Sequence, residues 1–159
     1  MSDPGLYRPC VGLAIFSEDG QLWLGRRAGA PPPFNWQMPQ GGIDADEDVV
    51  AAAWRELGEE TGLGPDSASL IDRLPDELSY DLPQGIRRRR GWTVMGQRQT
   101  WFAFRLHDEK AVRLDLDSKP EFDDWLWSDF ATAQARVIPF KREVYRRVAD
   151  GFGKWAGPI

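Results

Sequence analysis

A chain of 159 residues fits one domain, residues 1–159, with room for a sizeable core. Its formal net charge of −5 argues against gripping nucleic acid through global electrostatics, though not against a local basic cleft. The single cysteine, Cys10, excludes an internal disulfide, and no apolar run approaches membrane-spanning length, so the expectation is a cytoplasmic protein with no membrane partner.

In chain order, residues 8–16 predict a strand in which Val11, Leu13 and Ile15 alternate. Asp19-Gly20 is a turn signal, and residues 21–25 predict the returning strand. Three consecutive prolines place residues 28–34 in a loop, and residues 35–40 predict a short extended piece. A helix follows. Asp44 is its expected cap, with Glu47 completing a capping box, and Gly62 is its expected left-handed terminator. Val50, Ala53 and Leu57 form the expected apolar stripe, with Glu56, Glu59 and Glu60 on a flank beside it. Residues 69–80, 98–106 and 124–127 predict further strands, and Pro139 opens a last helix carrying Phe140, Val144 and Val148. The run Arg87-Arg88-Arg89-Arg90 reads as a solvated loop or as a guide for an RNA backbone. The eight tryptophans read mainly as core. Strands interleaved with a central and a terminal helix predict an α/β sandwich with a mixed sheet.

The chemistry concentrates in the first helix. Glu56, Glu59 and Glu60 stand at i, i+3 and i+4, a spacing that gathers carboxylates on one helical face. Like charges so placed repel by about a few tenths of a kcal/mol per pair unless a cation lies between them. A hard divalent ion such as Mg2+ takes a few oxygen ligands from protein and leaves others to water and phosphate.

Gly41, Glu47, Arg55, Glu56, Leu57, Glu59, Glu60, Gly62 and Leu63 together match the Nudix box. The resemblance extends to Tyr7-Arg8-Pro9, residues 36–42, Gly96-Gln97-Arg98-Gln99, Trp101-Phe102, residues 120–123, Trp125 and residues 140–148. Across nearly the whole chain it resembles the bacterial RNA pyrophosphohydrolase and dinucleoside polyphosphate hydrolase branch. The resemblance implies the Nudix α/β/α sandwich and hydrolysis of a phosphoanhydride bond with Mg2+ or Mn2+, more than one ion being expected. It implies Glu56, Glu59, Glu60 and Glu121 as metal ligands, with main-chain oxygen near Gln40 and Gly41. Arg55 and Glu47 are expected to orient those ligands, although Glu47 also reads as a plain helix cap.

For the general base, Glu121 matches the glutamate that this branch carries in a late loop, with Glu59 and Glu60 as rivals. The only histidine, His107, reads as a solvated loop residue, and Asp123 and Asp124 read as loop-solvating. Arg8 and Arg27 match phosphate- or nucleotide-contacting positions of RNA-active relatives, and Gln97 falls in a matching segment. Lys141 and Arg142 are candidate phosphate contacts, and Phe140 and Tyr80 offer stacking faces to a base. The prolines at 31–33 and the stretch Gly42-Ile43-Asp44-Ala45-Asp46 resemble the dinucleoside polyphosphate hydrolases instead. The expected substrate is therefore 5′-triphosphorylated RNA, or alternatively a dinucleoside polyphosphate such as diadenosine tetraphosphate. A non-catalytic binding module is the third possibility, weakened because every box glutamate is present. No obligate protein partner is evident.

Overall fold

The computed structural model describes residues 6–86 and 94–157. The tetra-arginine run at 87–90 lies outside them. Among the described residues, eight strands form one mixed sheet: β1 (Tyr7–Phe16), β2 (Leu22–Arg27), β3 (Trp36–Gln37), β4 (Gln40–Gly42), β5 (Ala68–Arg73), β6 (Leu78–Asp81), β7 (Gly96–Leu106) and β8 (Phe122–Ser128). α1 (Val49–Thr61), α2 (Phe130–Arg136) and α3 (Arg142–Phe152) are helices. The order β3-β2-β1-β7-β5 runs through the middle, with β4 on β1, β6 on β7 and β8 on β2. The β1–β7 pair is parallel, and the other pairs are antiparallel.

β1 is buried on both faces from Cys10 to Phe16, as a central strand should be. Val11, Leu13 and Ile15 join Ala52, Ala53 and Leu57 of α1, while Ala14 and Phe16 join Val144, Tyr145, Val148 and Phe152 of α3. Two helical layers therefore sandwich the sheet, as the sequence predicts. Among the described residues no helix is long and apolar enough to cross a membrane.

Several local expectations change. α1 begins four residues later than predicted: Asp48 is the cap, accepting from the Ala51 amide at 3.0 Å. Glu47 does bond the Asp44 amide, at 2.9 Å, but this closes a turn ahead of the helix because the same carboxylate is also claimed by Arg55. Gly62 ends the helix as expected, at φ 75°, with its amide on the Gly58 carbonyl. Residues 69–80 split into β5 and β6. Asp123 and Asp124 lie in β8 rather than in a loop, and Asp123 pairs with Arg26 at 2.7 Å. Phe140 sits in a 3-10 turn ahead of α3 rather than on its face, and α2 has no counterpart in the sequence reading. Trp23 and Trp101 are fully buried, in keeping with a core role.

Candidate active site

The short edge strand β4 brings the two faces of the sheet together. Gly41 and Gly42 carry no side chains, and their neighbours press against the bare backbone. A Cβ on Gly41 would overlap the Glu56 carboxylate, and one on Gly42 would overlap the Arg8 guanidinium. Carboxylates from the α1 face thus meet cations from the other face across one thin strand.

On the carboxylate side, Glu56 is not on an outer flank but is buried within the packed stripe. Burial pushes its carboxyl up, opposed by the Arg55 guanidinium. Arg55 is the hub: it reaches Glu47 at 2.7 and 2.9 Å, Glu56 at 2.9 Å, Glu59 at 3.2 Å and the Gly42 carbonyl at 2.8 Å. Its hydrogen bonds hold the Glu47 carboxyl down at about 2. Glu60 Oε2 is buried without a hydrogen-bond partner. Burial, then the charges of Glu56, Glu121 and Glu59, raise the Glu60 carboxyl well above the usual range, against the Gln40 amide.

On the opposite side, strand register lines up Tyr80 of β6, Gln97 of β7 and Arg8 of β1 in one row. Gln40 joins them, 3.2 Å from Gln97 Oε1. Lys141 is only 7% exposed, with its ammonium on Gln37 Oε1 at 3.3 Å and over the Tyr80 ring at 5.8 Å. Burial, then the Arg27 charge, pulls it from 10.5 down to about 8. Tyr80 and Phe140 face each other with ring centroids 5.6 Å apart.

Together these residues enclose a cleft of about 360 Å³. Of the residues singled out in the sequence, Arg8, Arg27, Gln40, Gly41, Glu56, Glu60, Tyr80, Gln97, Glu121, Phe140 and Lys141 line it. Glu121 stands 4.0 Å from Arg27. Glu59 does not line it: the Arg55 guanidinium holds this exposed carboxylate outside. Glu47 and Arg55 lie behind the wall. Arg142 also stays outside, its guanidinium over the Phe34 ring at 5.2 Å. His107 is exposed and remote, bonded to Ser69. Sequence reasoning missed Gln37 as a lining residue and Gln99 as the buried link behind Gln97; the Gln-x-Gln alternation in β7 was the available signal.

The donor set fits a hard divalent cation. Buried carboxylate oxygens, one of them orphaned, stand beside glycines that leave main chain accessible. Among the described residues no ready-made cage of three such side chains exists.

A family model described as "NUDIX domain" matches residues 6–148. Among curated proteins, the chain is 44% identical over 153 residues to an "RNA pyrophosphohydrolase" of Acidiphilium cryptum, covering 94% of this chain and 92% of that protein. It is 42% identical over 161 residues to one of Caulobacter vibrioides, covering 96% and 91%. Among solved structures, an E. coli dihydroneopterin triphosphate pyrophosphohydrolase superposes with a TM-score of 0.69 at 21% identity, covering 89% of this chain and 96% of that one. A C. elegans Ap4A hydrolase binary complex gives 0.65 at 19%, covering 92% and 98%. At these identities the structural likeness speaks to the fold.

Proposed function

The chain belongs to the NUDIX domain family, and from that premise we propose that it is a pyrophosphohydrolase that removes phosphate from the 5′ end of triphosphorylated RNA, leaving a 5′ monophosphate. The observation that carries this reading is the mixed lining of one cleft: the carboxylates Glu56, Glu60 and Glu121 together with Arg8, Arg27, Gln97 and Lys141. A polyphosphate needs both kinds of group, cations and donors for its oxygens and carboxylates for the ions that accompany it. The relatives at 42–44% identity, covering nearly the full chain, favour RNA as the substrate.

Mg2+ or Mn2+ would be held by Glu56 and Glu60, with Glu121 and main-chain oxygen of Gln40 and Gly41 as further donors, and would supply charge neutralisation and a more acidic water. The chain's own residues do the rest. Arg8, Arg27 and Lys141 bind phosphate oxygens and fix the direction of the chain. Phe140 stacks a base of the leading nucleotides; the Tyr80 ring, covered by Lys141 and Phe140, backs it rather than stacking a base itself. Arg55 and Glu47 orient Glu56. Glu121 accepts the proton of the attacking water, because it lines the cleft while Glu59 is tied to Arg55 outside it. Glu60 is the remaining rival for that proton, since it too lines the cleft.

A dinucleoside polyphosphate presents the same base, ribose and phosphate chain, so the same pocket suits it as a related activity. Turnover of 5′-triphosphate RNA and of diadenosine tetraphosphate, at equal concentration with Mg2+, tests the assignment. RNA should be the better substrate, and far faster cleavage of the dinucleotide would overturn the RNA reading.

A further inference from the structure

A chain of side-chain hydrogen bonds runs from the core to the cleft wall, and its buried end decides its direction. The indole N–H of Trp101 can only donate. It donates to Gln99 Oε1 at 3.0 Å, which fixes the orientation of that amide. Gln99 Nε2 then donates to Gln40 Oε1 and to Gln97 Oε1, both at 3.1 Å. Gln40, accepting through its oxygen, turns its nitrogen to Gln97 Oε1 at 3.2 Å and to the Tyr80 hydroxyl at 3.5 Å. The Gln97 oxygen is therefore taken up by two donors, and its NH2 group is left for the cleft. The Tyr80 oxygen accepts, so its own hydrogen is left for the cleft as well. With Arg8 next in the row, three neighbouring groups offer hydrogens to whatever enters.

Trp101 and Gln99 are 0% and 1% exposed, and neither lines the cleft. Packing holds the indole in place: it lies against Gly12, where a Cβ would overlap the ring, and meets the Tyr145 ring edge-on at 6.1 Å. We infer that Trp101 and Gln99 are positioning residues, which act on Gln97 both directly and through Gln40 to keep its amide donor-outward, so that this wall of the cleft selects hydrogen-bond acceptors of the substrate. This rests on the cleft being the substrate site. Without the buried donor, Gln99 is free to rotate, and Gln97 can then turn its carbonyl toward the phosphate oxygens it should bind.

Two measurements test this. In the free protein, the side-chain amide resonances of Gln97 and Gln40 should be single and sharp in wild type. They should broaden or split in Gln99→Met, which leaves the Trp101 ring in place, and unchanged signals would overturn the relay. In steady-state kinetics on a 5′-triphosphorylated oligoribonucleotide with Mg2+, Trp101→Phe and Gln99→Met should each raise KM about five-fold with kcat within two-fold, the scale of one lost hydrogen bond. In a Gln97→Met background neither change should raise KM further. Multiplying effects would show that both residues act by general packing and would sink the inference. Absence of wild-type turnover on this RNA would count against the substrate assignment alone, and the amide resonances would still decide the relay.

Discussion

The Glu56 carboxylate rests directly on the main chain of Gly41, with no room for even one methyl group between them. A helix from one face and an edge strand from the other thus share a contact that only glycine permits. Gly41→Ala should displace Glu56 and lower kcat/KM by about 100-fold, the cost of roughly 1 Å of misplacement in a site. Steady-state kinetics alongside a melting curve would check this; a variant with normal turnover would show that Glu56 tolerates movement.

Arg55 joins Glu47, Glu56, Glu59 and the Gly42 carbonyl through one planar fork. A lysine cannot reproduce that geometry. Arg55→Lys should weaken activation by Mg2+ about 10–100-fold, as seen when groups behind metal ligands are lost, with the fold intact. The Mg2+ concentration for half-maximal activity is the measurement, and an unchanged value would remove Arg55 from its orienting role.

Glu60 holds a buried carboxylate oxygen without a partner, which costs about 1–3 kcal/mol in the ion-free protein. Glu60→Gln should raise the ion-free melting temperature, at about 2–4 °C per kcal/mol for a chain of this size, while lowering turnover by orders of magnitude. Added Mg2+ should stabilise wild type more than the variant. Calorimetry with and without Mg2+ would reveal the opposite ordering if Glu60 has no part in holding an ion.

Lys141 gives a pH test. Unfolded, it keeps its proton to about 10.5; folded, burial and Arg27 release it at about 8. Between those values the unfolded chain binds the extra proton, so stability should rise with pH across this window. Below it the full penalty, about 3 kcal/mol, is present. Lys141→Met should therefore stabilise the protein at pH 7, flatten the rise above pH 8, and weaken phosphate binding. Denaturant midpoints from pH 7 to 10 are the readout; parallel curves for wild type and variant would contradict a buried, proton-releasing lysine.

Glu121→Gln should lower kcat by at least about 100-fold, within the range of lost general-base catalysis, with little change in substrate binding. A normal kcat would return that role to Glu60.

Much of the molecule follows from local chemistry. Alternating apolar residues in β1, the left-handed end of α1 at Gly62, the carboxylates of α1 and the Arg55–Glu47 pair all depend on neighbours within a few turns of chain, where periodicity and spacing carry the information. α1 starts later than the Asp44 capping pattern implies because Asp48 takes the Ala51 amide while Glu47 is drawn to Arg55. α2 was missed because seven residues carry too little periodicity to stand out.

The family pattern, the sandwich and the acidic helix are legible in the order of residues. Tertiary structure alone decided which carboxylates enter the cleft, that Lys141 is buried, and that Tyr80, Gln97 and Arg8 form one row. Those outcomes depend on strand register and on glycines thinning one edge of the sheet. Register is set by contacts between distant segments, which side-chain periodicity within a single segment does not encode.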